Sequence, residues 1–239
     1  MSRCDLNVTL PVHNEAACLA RNVSQVVRML EGLSDSYEVI IVDNGSSDAT
    51  PEIARELVLT RGQVRFIRLP QAGRGRAIRE AWQSSRAMIV SYMDIDLSTD
   101  LTCFPRLIEP LQKDKADMAI GSRLLDGARV ERCWHREWIS RSYVRMLELG
   151  LGGTFSDYQC GFKAALRDAV VGLLPTIQND KWFFDTELLF AASRKGCRVA
   201  EIPVRWREDR DSRVRLLPTV VEDILGVYRL RKASREGRD

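Results

Sequence analysis

Two carboxylates one residue apart, Asp94 and Asp96, close an apolar run rich in strand formers, Met88-Ile89-Val90-Ser91-Tyr92-Met93, and Leu97-Ser98-Thr99-Asp100 then reads as a turn. Such a pair suits a hard divalent cation that already carries phosphate oxygens: one or two carboxylates anchor the ion and a diphosphate supplies the remaining ligands. Asp43 closes a second apolar run, Glu38-Val39-Ile40-Ile41-Val42, and Glu15 lies in the turn Pro11-Val12-His13-Asn14-Glu15. Carboxylates gathered at one edge repel one another unless a cation, or the hydroxyls and ring N–H groups of a ligand, sit among them. A nucleotide with its metal meets both needs. Gly73-Arg74-Gly75-Arg76 precedes a helix, so backbone N–H groups and a guanidinium can approach phosphate. Ile78 stands where a dinucleotide fingerprint has its third glycine, which argues against a dehydrogenase. Taken alone, Asp-x-Asp also describes an acidic surface turn, and Gly-Arg-Gly a tight turn before a surface helix.

These residues need elements that bring them together. Leu6 to Val12 is predicted as a short strand, and residues 15–30 as a helix with Leu19, Val23, Val26, Val27 and Leu30 at helical spacing. After the strand at 38–42, Thr50 is expected to cap a helix that begins with Pro51. Val64 to Leu69 is a third strand, Gly75 to Ser85 a helix, 88–93 the central strand, Leu101 to Gln112 a helix and Met118 to Gly121 another strand. This alternation requires an α/β fold with a parallel sheet and helices on both faces. Ligands of such sheets bind outside the carboxyl ends of the strands, where Asp43, Asp94 and Asp96 fall. Residues 123–137 show no period and read as a mobile connection, loops of this length being usually functional or disordered. A helix from about Ile139 to Leu149, a helix from Asp185 to Lys195 and a strand over Arg198 to Val204 follow, with no linker. One continuous domain over residues 1–212 is expected, and a separate basic amphipathic segment over 213–239.

The 239 residues can bury a proper core, and 45% apolar and 29% charged residues are those of an ordinary soluble protein. A net charge of +3 gives no argument for nucleic acid. Six cysteines without any Cys-x-x-Cys, and two histidines, make neither a zinc site nor a disulfide framework; free thiols point to a reducing cytoplasm. The start lacks a signal-peptide core, and no stretch approaches the roughly 18 uncharged residues of a membrane span.

The ordered motifs carry a resemblance. Pro11-x-His13-Asn14-Glu15, Val42-Asp43-Asn44-Gly45-Ser46-x-Asp48, Gly73-Arg74-Gly75, Asp94-x-Asp96-Leu97-Ser98 and Gly121-Ser122-Arg123 are similar to those of family 2 glycosyltransferases of the GT-A fold. Asp157-x-Gln159-Cys160-Gly161-Phe162-Lys163, Trp182-x-Phe184-Asp185-x-Glu187-Leu188-Leu189 and Glu201-Ile202-Pro203-Val204-x-Trp206 resemble the polyprenyl-phosphate hexosyltransferase branch. Within it the dolichyl-phosphate β-glucosyltransferases resemble this chain most, and the dolichyl-phosphate mannose synthases somewhat less. The resemblance implies a Rossmann-like, mostly parallel sheet, with residues 1–122 holding the nucleotide sugar and 123–212 the acceptor. It implies that Pro11, His13 and Glu15 hold base and ribose, that Asp43 accepts from the base, and that Arg74 meets the nucleotide or its phosphates. Asp94 would contact ribose or metal, Asp96 would bind Mg²⁺ or Mn²⁺ directly, and Ser98 would stand beside the metal. Arg123, Arg136 and Ser140, with Arg213, would bind the acceptor phosphate. Asp157 and Gln159 would lie near the reacting centre, and Asp185 and Glu187 would line the sugar pocket. His13 replaces the usual Tyr and Asn44 the usual second Asp, which weakens any inference about the base. Asp185 also reads as a simple helix cap, and His13 as a packed turn residue.

The implied reaction is inverting transfer of a hexose, glucose before mannose, from a nucleoside-diphosphate sugar to polyprenyl or dolichyl phosphate. A lipid monophosphate is already largely ionised near neutral pH, its second pKa being about 6, so a strong general base is unnecessary. Two other readings stand beside it: transfer to a saccharide hydroxyl, and non-catalytic nucleotide-sugar binding in the service of a separately encoded membrane protein. Between Arg213 and Lys232, Val214, Leu217, Val220, Val221, Ile224, Leu225, Tyr228 and Leu230 form an apolar face with basic ends. That segment either packs on the domain or lies in a membrane interface. A lipid acceptor favours the interface, and with it a peripheral position on the cytoplasmic face of a membrane.

Overall fold

Strands without a polar face must be covered on both sides, and three of the apolar runs are buried along nearly their whole length. The computed structural model describes residues 5–131, 134–208 and 216–236, excepting the side chains of 134–137, 139, 216–221 and 233–236. The chain runs β1 (Leu6–Val12), α1 (Leu19–Glu31), β2 (Tyr37–Asn44), α2 (Thr50–Thr60), β3 (Val64–Leu69), α3 (Arg74–Ser84), β4 (Ile89–Met93) and α4 (Phe104–Gln112). It continues as β5 (Met118–Ser122), β6 (Arg129–Glu131), α5 (Trp134–Leu151), β7 (Phe162–Leu166), α6 (Arg167–Val170), α7 (Phe184–Arg194), β8 (Val199–Pro203), β9 (Arg205–Arg207) and α8 (Leu216–Glu236). Seven strands form one sheet in the order β3-β2-β1-β4-β7-β5-β8, and β6 pairs with β9 in a small second sheet. Side chains alternate across the sheet: Val39 and Ile41 join a core under α1, α2 and α4, while Ile40 and Val42 join one under α3, α5, α7 and α8.

The sheet is mostly parallel, as expected, with one exception. β7 is antiparallel to both neighbours, pairing Met93 with Phe162 on β4 and Ile120 with Lys163 on β5. An antiparallel strand starts where its parallel neighbours end. Residues 157–161, which lead into β7, therefore arrive at the same edge as Asp94 and Arg123. Pro11 has no N–H to donate, and it lies beyond Thr9, the last β1 residue paired with β4.

Three local expectations are corrected. Thr50 does not cap α2 from outside; it is the first residue of that helix, and its buried hydroxyl accepts from the Glu15 N–H at 2.8 Å. Asp48 accepts from the Thr50 N–H at 3.0 Å instead. The helix expected over Leu101 to Gln112 starts as a 3₁₀ turn, Leu101–Cys103, before α4. The span 123–137 is not an unstructured connection: β6 lies within it and α5 begins at Trp134. Of the last segment, Asp223, Gly226 and Val227 are buried. A Cβ on Gly226 would stand 2.3 Å from the Phe183 ring, so α8 docks closely on the domain there.

Candidate active site

The turns after β1 and β2 are laced together by short polar side chains. Asn14 sits at φ 58°, and its side-chain oxygen accepts from the Ser47 N–H at 2.8 Å. The Asn14 N–H donates to the Ser46 hydroxyl at 2.8 Å, and His13 Nδ1 lies 3.0 Å from the Asn44 carbonyl oxygen. Asp43 is wholly buried; one oxygen accepts from the Ser46 N–H at 3.0 Å. Its other oxygen has no hydrogen bond and faces Arg68 at 3.4 Å. A buried carboxylate oxygen in that state is an acceptor suited to a ligand N–H.

Next to it lies a charge cluster built by four elements. Arg74, the first residue of α3, donates to one oxygen of Asp94 from Nε at 3.1 Å and from Nη2 at 3.0 Å, and to Asp185 from Nη1. Tyr92 donates its hydroxyl to Asp185. Lys163, fully buried on β7, places Nζ 2.9 Å from Asp185 and donates to the carbonyls of Tyr158 at 2.9 Å and Cys160 at 2.8 Å. Burial alone would raise the Asp185 pKa, but Lys163 and Arg74 hold it below the usual carboxylate range. Two cations thus balance two carboxylates. Asp185 is neither a helix cap nor an open pocket residue, and Arg74 is shared between two acids. Gly161 is required beside this cluster: a Cβ there would stand 1.8 Å from the Asp94 carboxylate.

Asp96 projects from the following turn and is exposed. One of its oxygens accepts from the Ser98 N–H at 2.9 Å, and Leu97 between them has a φ of 54°, an uncommon backbone for a branched residue. Asn22 of α1 braces the turn by donating to the Ile95 carbonyl at 2.8 Å. Among the described residues no group of three or more His, Cys, Asp and Glu is arranged to hold a metal. Asp94, Asp96 and the Ser98 hydroxyl therefore fit a hard cation that brings most of its oxygen ligands with it, not an all-protein cage.

Across β7, Arg123 and Asp157 form a two-pronged pair. Arg123 Nε and Nη2 lie 2.7 and 3.0 Å from the two oxygens of Asp157, whose carboxylate also accepts from the Arg123 N–H at 3.1 Å. Burial pushes the Asp157 pKa up, but the Arg123 charge and hydrogen bonds outweigh it and hold the group below its usual value. Asp157 stays ionised and orients a guanidinium, a poor arrangement for taking protons. The Arg123 guanidinium also lies 5.6 Å from the Trp206 ring centre.

One expected contact falls elsewhere. Glu187 accepts from the N–H groups of Gln178 and Asn179 at 2.7 and 2.8 Å with one oxygen and from Arg229 with the other, so both of its oxygens are engaged in clamping α7 to α8. Glu15 stays in the turn after β1, where it accepts from the Cys18 thiol at 3.4 Å. Ser140 is half-buried on α5. The Arg136 side chain and all of Arg213 lie outside the described residues. Sequence reasoning missed Tyr92, Lys163 and Asp223 as site residues. Asp223 of α8 is buried, accepts from Gln159 at 3.3 Å, and burial pushes its pKa up to about 7. The available signals were a lysine inside an otherwise apolar strand and an acid inside an apolar helical stripe.

The sheet has known counterparts. The glucosyl-3-phosphoglycerate synthase of Mycobacterium tuberculosis, solved with Mn²⁺, UDP and phosphoglyceric acid, superposes with a TM-score of 0.68 at 20% identity over 97% of this chain and 78% of its own. That likeness shows the GT-A fold. In sequence the chain is 37% identical over 226 residues to the glycosyltransferase AglD of Haloferax volcanii, covering 93% of this chain and 36% of AglD. It is 29% identical over 219 residues to a dolichyl-phosphate beta-glucosyltransferase of Trichomonas vaginalis, covering 87% of this chain and 65% of that protein. The chain thus spans about a third of one relative and just under two thirds of the other. The family model for glycosyl transferase family 2 matches residues 8–173, from the middle of β1 to just beyond α6, and so takes in every carboxylate of the acidic edge. The chain belongs to glycosyl transferase family 2.

Proposed function

We propose that this chain transfers a hexose, glucose in preference to mannose, from a nucleoside-diphosphate sugar to a polyprenyl or dolichyl phosphate with inversion at the anomeric carbon. The observation that carries this reading is one sheet edge with acids for a metal diphosphate just beyond the end of β4 and a carboxylate-oriented guanidinium on the far side of β7. The buried, unbonded oxygen of Asp43 accepts a ring N–H of the base, with Pro11, His13 and Glu15 around base and ribose. Asp94, Asp96 and Ser98 hold Mg²⁺ or Mn²⁺, which supplies charge neutralisation for the departing diphosphate. Arg74 keeps Asp94 in place and faces the phosphates. Arg123, with Arg136, Ser140 and Arg213, holds the acceptor phosphate, a planar fork being better suited to it than an ammonium. That phosphate attacks as an anion, so no residue needs to remove a proton, in keeping with an Asp157 that stays ionised.

A lipid acceptor places the reaction at a membrane surface. Between α5 and α8 runs a groove of about 810 Å³ bordered by Trp138, Leu149, Ile224 and Tyr228, with Arg141 and Arg231 beside them. Trp138, Leu149 and Tyr228 are 68%, 70% and 69% exposed, which for large apolar side chains marks an interaction surface. No helix among the described residues is long and apolar enough to cross a membrane. This face would rest on the cytoplasmic leaflet, held by the groove and its arginines or by a separately encoded membrane protein.

The test offers UDP-glucose and GDP-mannose separately with polyprenyl phosphate and Mg²⁺ or Mn²⁺, and counts labelled sugar in the organic phase. Label from one donor, abolished by chelator and lowered about a hundredfold or more in Asp96→Asn, is the expected result. Label in a saccharide product, with none in lipid, would overturn the lipid acceptor.

A further inference from the structure

The small β6–β9 sheet pairs its charges unevenly. At one rung Glu131 stands opposite Arg207, and the two form an ion pair at 2.8 Å. Two residues earlier in the same register Arg129 stands opposite Arg205. Like charges directly opposite one another destabilise a strand pair. Arg106, near the start of α4, joins them around a pocket of about 380 Å³ that Thr102 and Cys103 also line. None of the three arginines forms an ion pair with a described residue, and Glu109, the nearby acid on α4, pairs with Lys113 at 2.5 Å. No carboxylate lines the pocket.

We propose that Arg106, Arg129 and Arg205 form a second anion site, separate from the Arg123 cluster, that takes a phosphate dianion. Three guanidiniums from three elements supply the forked donors that phosphate oxygens accept, and the dianion relieves the repulsion between Arg129 and Arg205. Strand alternation keeps the two sites apart, because Trp206 points toward Arg123 while Arg205 lines the pocket. They still share a wall: the Arg205 carbonyl accepts from the Asp100 N–H at 2.9 Å, and the Arg207 N–H donates to the Ser98 carbonyl at 2.8 Å. An anion in the pocket therefore steadies the strand that backs the Asp96 turn. The phosphate comes either from a lipid headgroup or from a soluble phosphate.

The test does not depend on transferase activity. Inorganic phosphate is titrated calorimetrically into the full chain, into Arg129→Ala/Arg205→Ala, and into Arg123→Lys. The double variant should lose about tenfold or more in affinity, the size expected for lost charge-assisted hydrogen bonds, while Arg123→Lys retains the pocket's binding. Arg129→Lys/Arg205→Lys should keep an intermediate affinity, which a disrupted strand pair would not, and urea midpoints check the fold of each variant. Phosphate binding equal in the double alanine variant and the wild type, or absent from the wild type, overturns the proposal. Sedimentation with phosphatidylcholine vesicles, with and without phosphatidic acid, then separates the sources. Loss of the phosphatidic acid effect in the double variant assigns a lipid headgroup, and an unchanged effect assigns a soluble phosphate.

Discussion

Asp223→Asn should make the protein more stable at alkaline pH than at acid pH relative to the wild type. The carboxyl is 3% exposed, has one oxygen without a hydrogen bond, accepts from Gln159 with the other, and feels the charge of Glu222 beside it. Burial and then Glu222 push its pKa from an ordinary 3.8 to about 7, with the Gln159 hydrogen bond opposing them. A folded-state pKa above the unfolded value means that folding favours the protonated form. Stability from this group is therefore complete below pH 3.8 and is lost progressively as pH rises to about 7. At about 1.4 kcal/mol for each pH unit, the difference between the two values amounts to about 4 kcal/mol above pH 7 and to about 1.6 kcal/mol at pH 5. Asparagine cannot ionise, so the stability gained by the variant should grow by about 2–3 kcal/mol between pH 5 and pH 8. Urea unfolding followed by circular dichroism at both pH values measures that growth. A variant whose advantage is the same at pH 5 and pH 8 would refute the placement of Asp223 as an acid buried without a cation.

Two further outcomes test the charge cluster. Lys163→Met removes a buried cation and leaves Asp185 with Arg74 and the Tyr92 hydroxyl, which should cost about 3–5 kcal/mol in urea unfolding at neutral pH, as breaking a buried pair does. A smaller loss than about 1 kcal/mol would mean that Arg74 and Tyr92 satisfy Asp185 without the lysine. Gly161→Ala forces a methyl into the Asp94 carboxylate, 1.8 Å away, and should abolish metal-dependent transfer while the acid half of the edge, Asp43 included, still binds nucleotide in a direct binding assay.

Periodicity and strand formers made most of the first half legible: Leu6 to Val12 and Val64 to Leu69 fold with the very bounds expected. The carboxylates were legible as well, because an acid ending an apolar run has few structural uses. β7 was not. Its residues Phe162-Lys163-Ala164-Ala165-Leu166 carry a lysine and two alanines, poor strand formers that succeed only because Lys163 finds a carboxylate and two carbonyls in the core. The pairing of Arg123 with Asp157 was hidden for another reason. The two were singled out separately, 34 residues apart, and only the antiparallel pairing of β7, which Asp157 leads into, with β5, which Arg123 follows, brings them together. Glu187 reads as a pocket acid in sequence because nothing local shows that Gln178, Asn179 and Arg229 claim it. The docking of α8 was equally unreadable, since Asp223 interrupts an apolar stripe that alone would suit either a membrane or a core.

The position of β7 also sets the order in which this protein can be completed as it leaves the ribosome. β5 ends at Ser122, yet both of its neighbours, β7 and β8, begin later, at Phe162 and Val199. β4 likewise has β1 on one side only until β7 is made. A nascent chain halted after β5 carries the whole acidic edge in its sequence but exposes one side of β4 and both sides of β5 as open strand edges. Such edges pair readily with other chains. The two halves of the chain are thus bound to a single folding event late in synthesis: the antiparallel strand that unites the two sides of the site closes β4 and one side of β5, and only β8, beginning at Val199, closes the other.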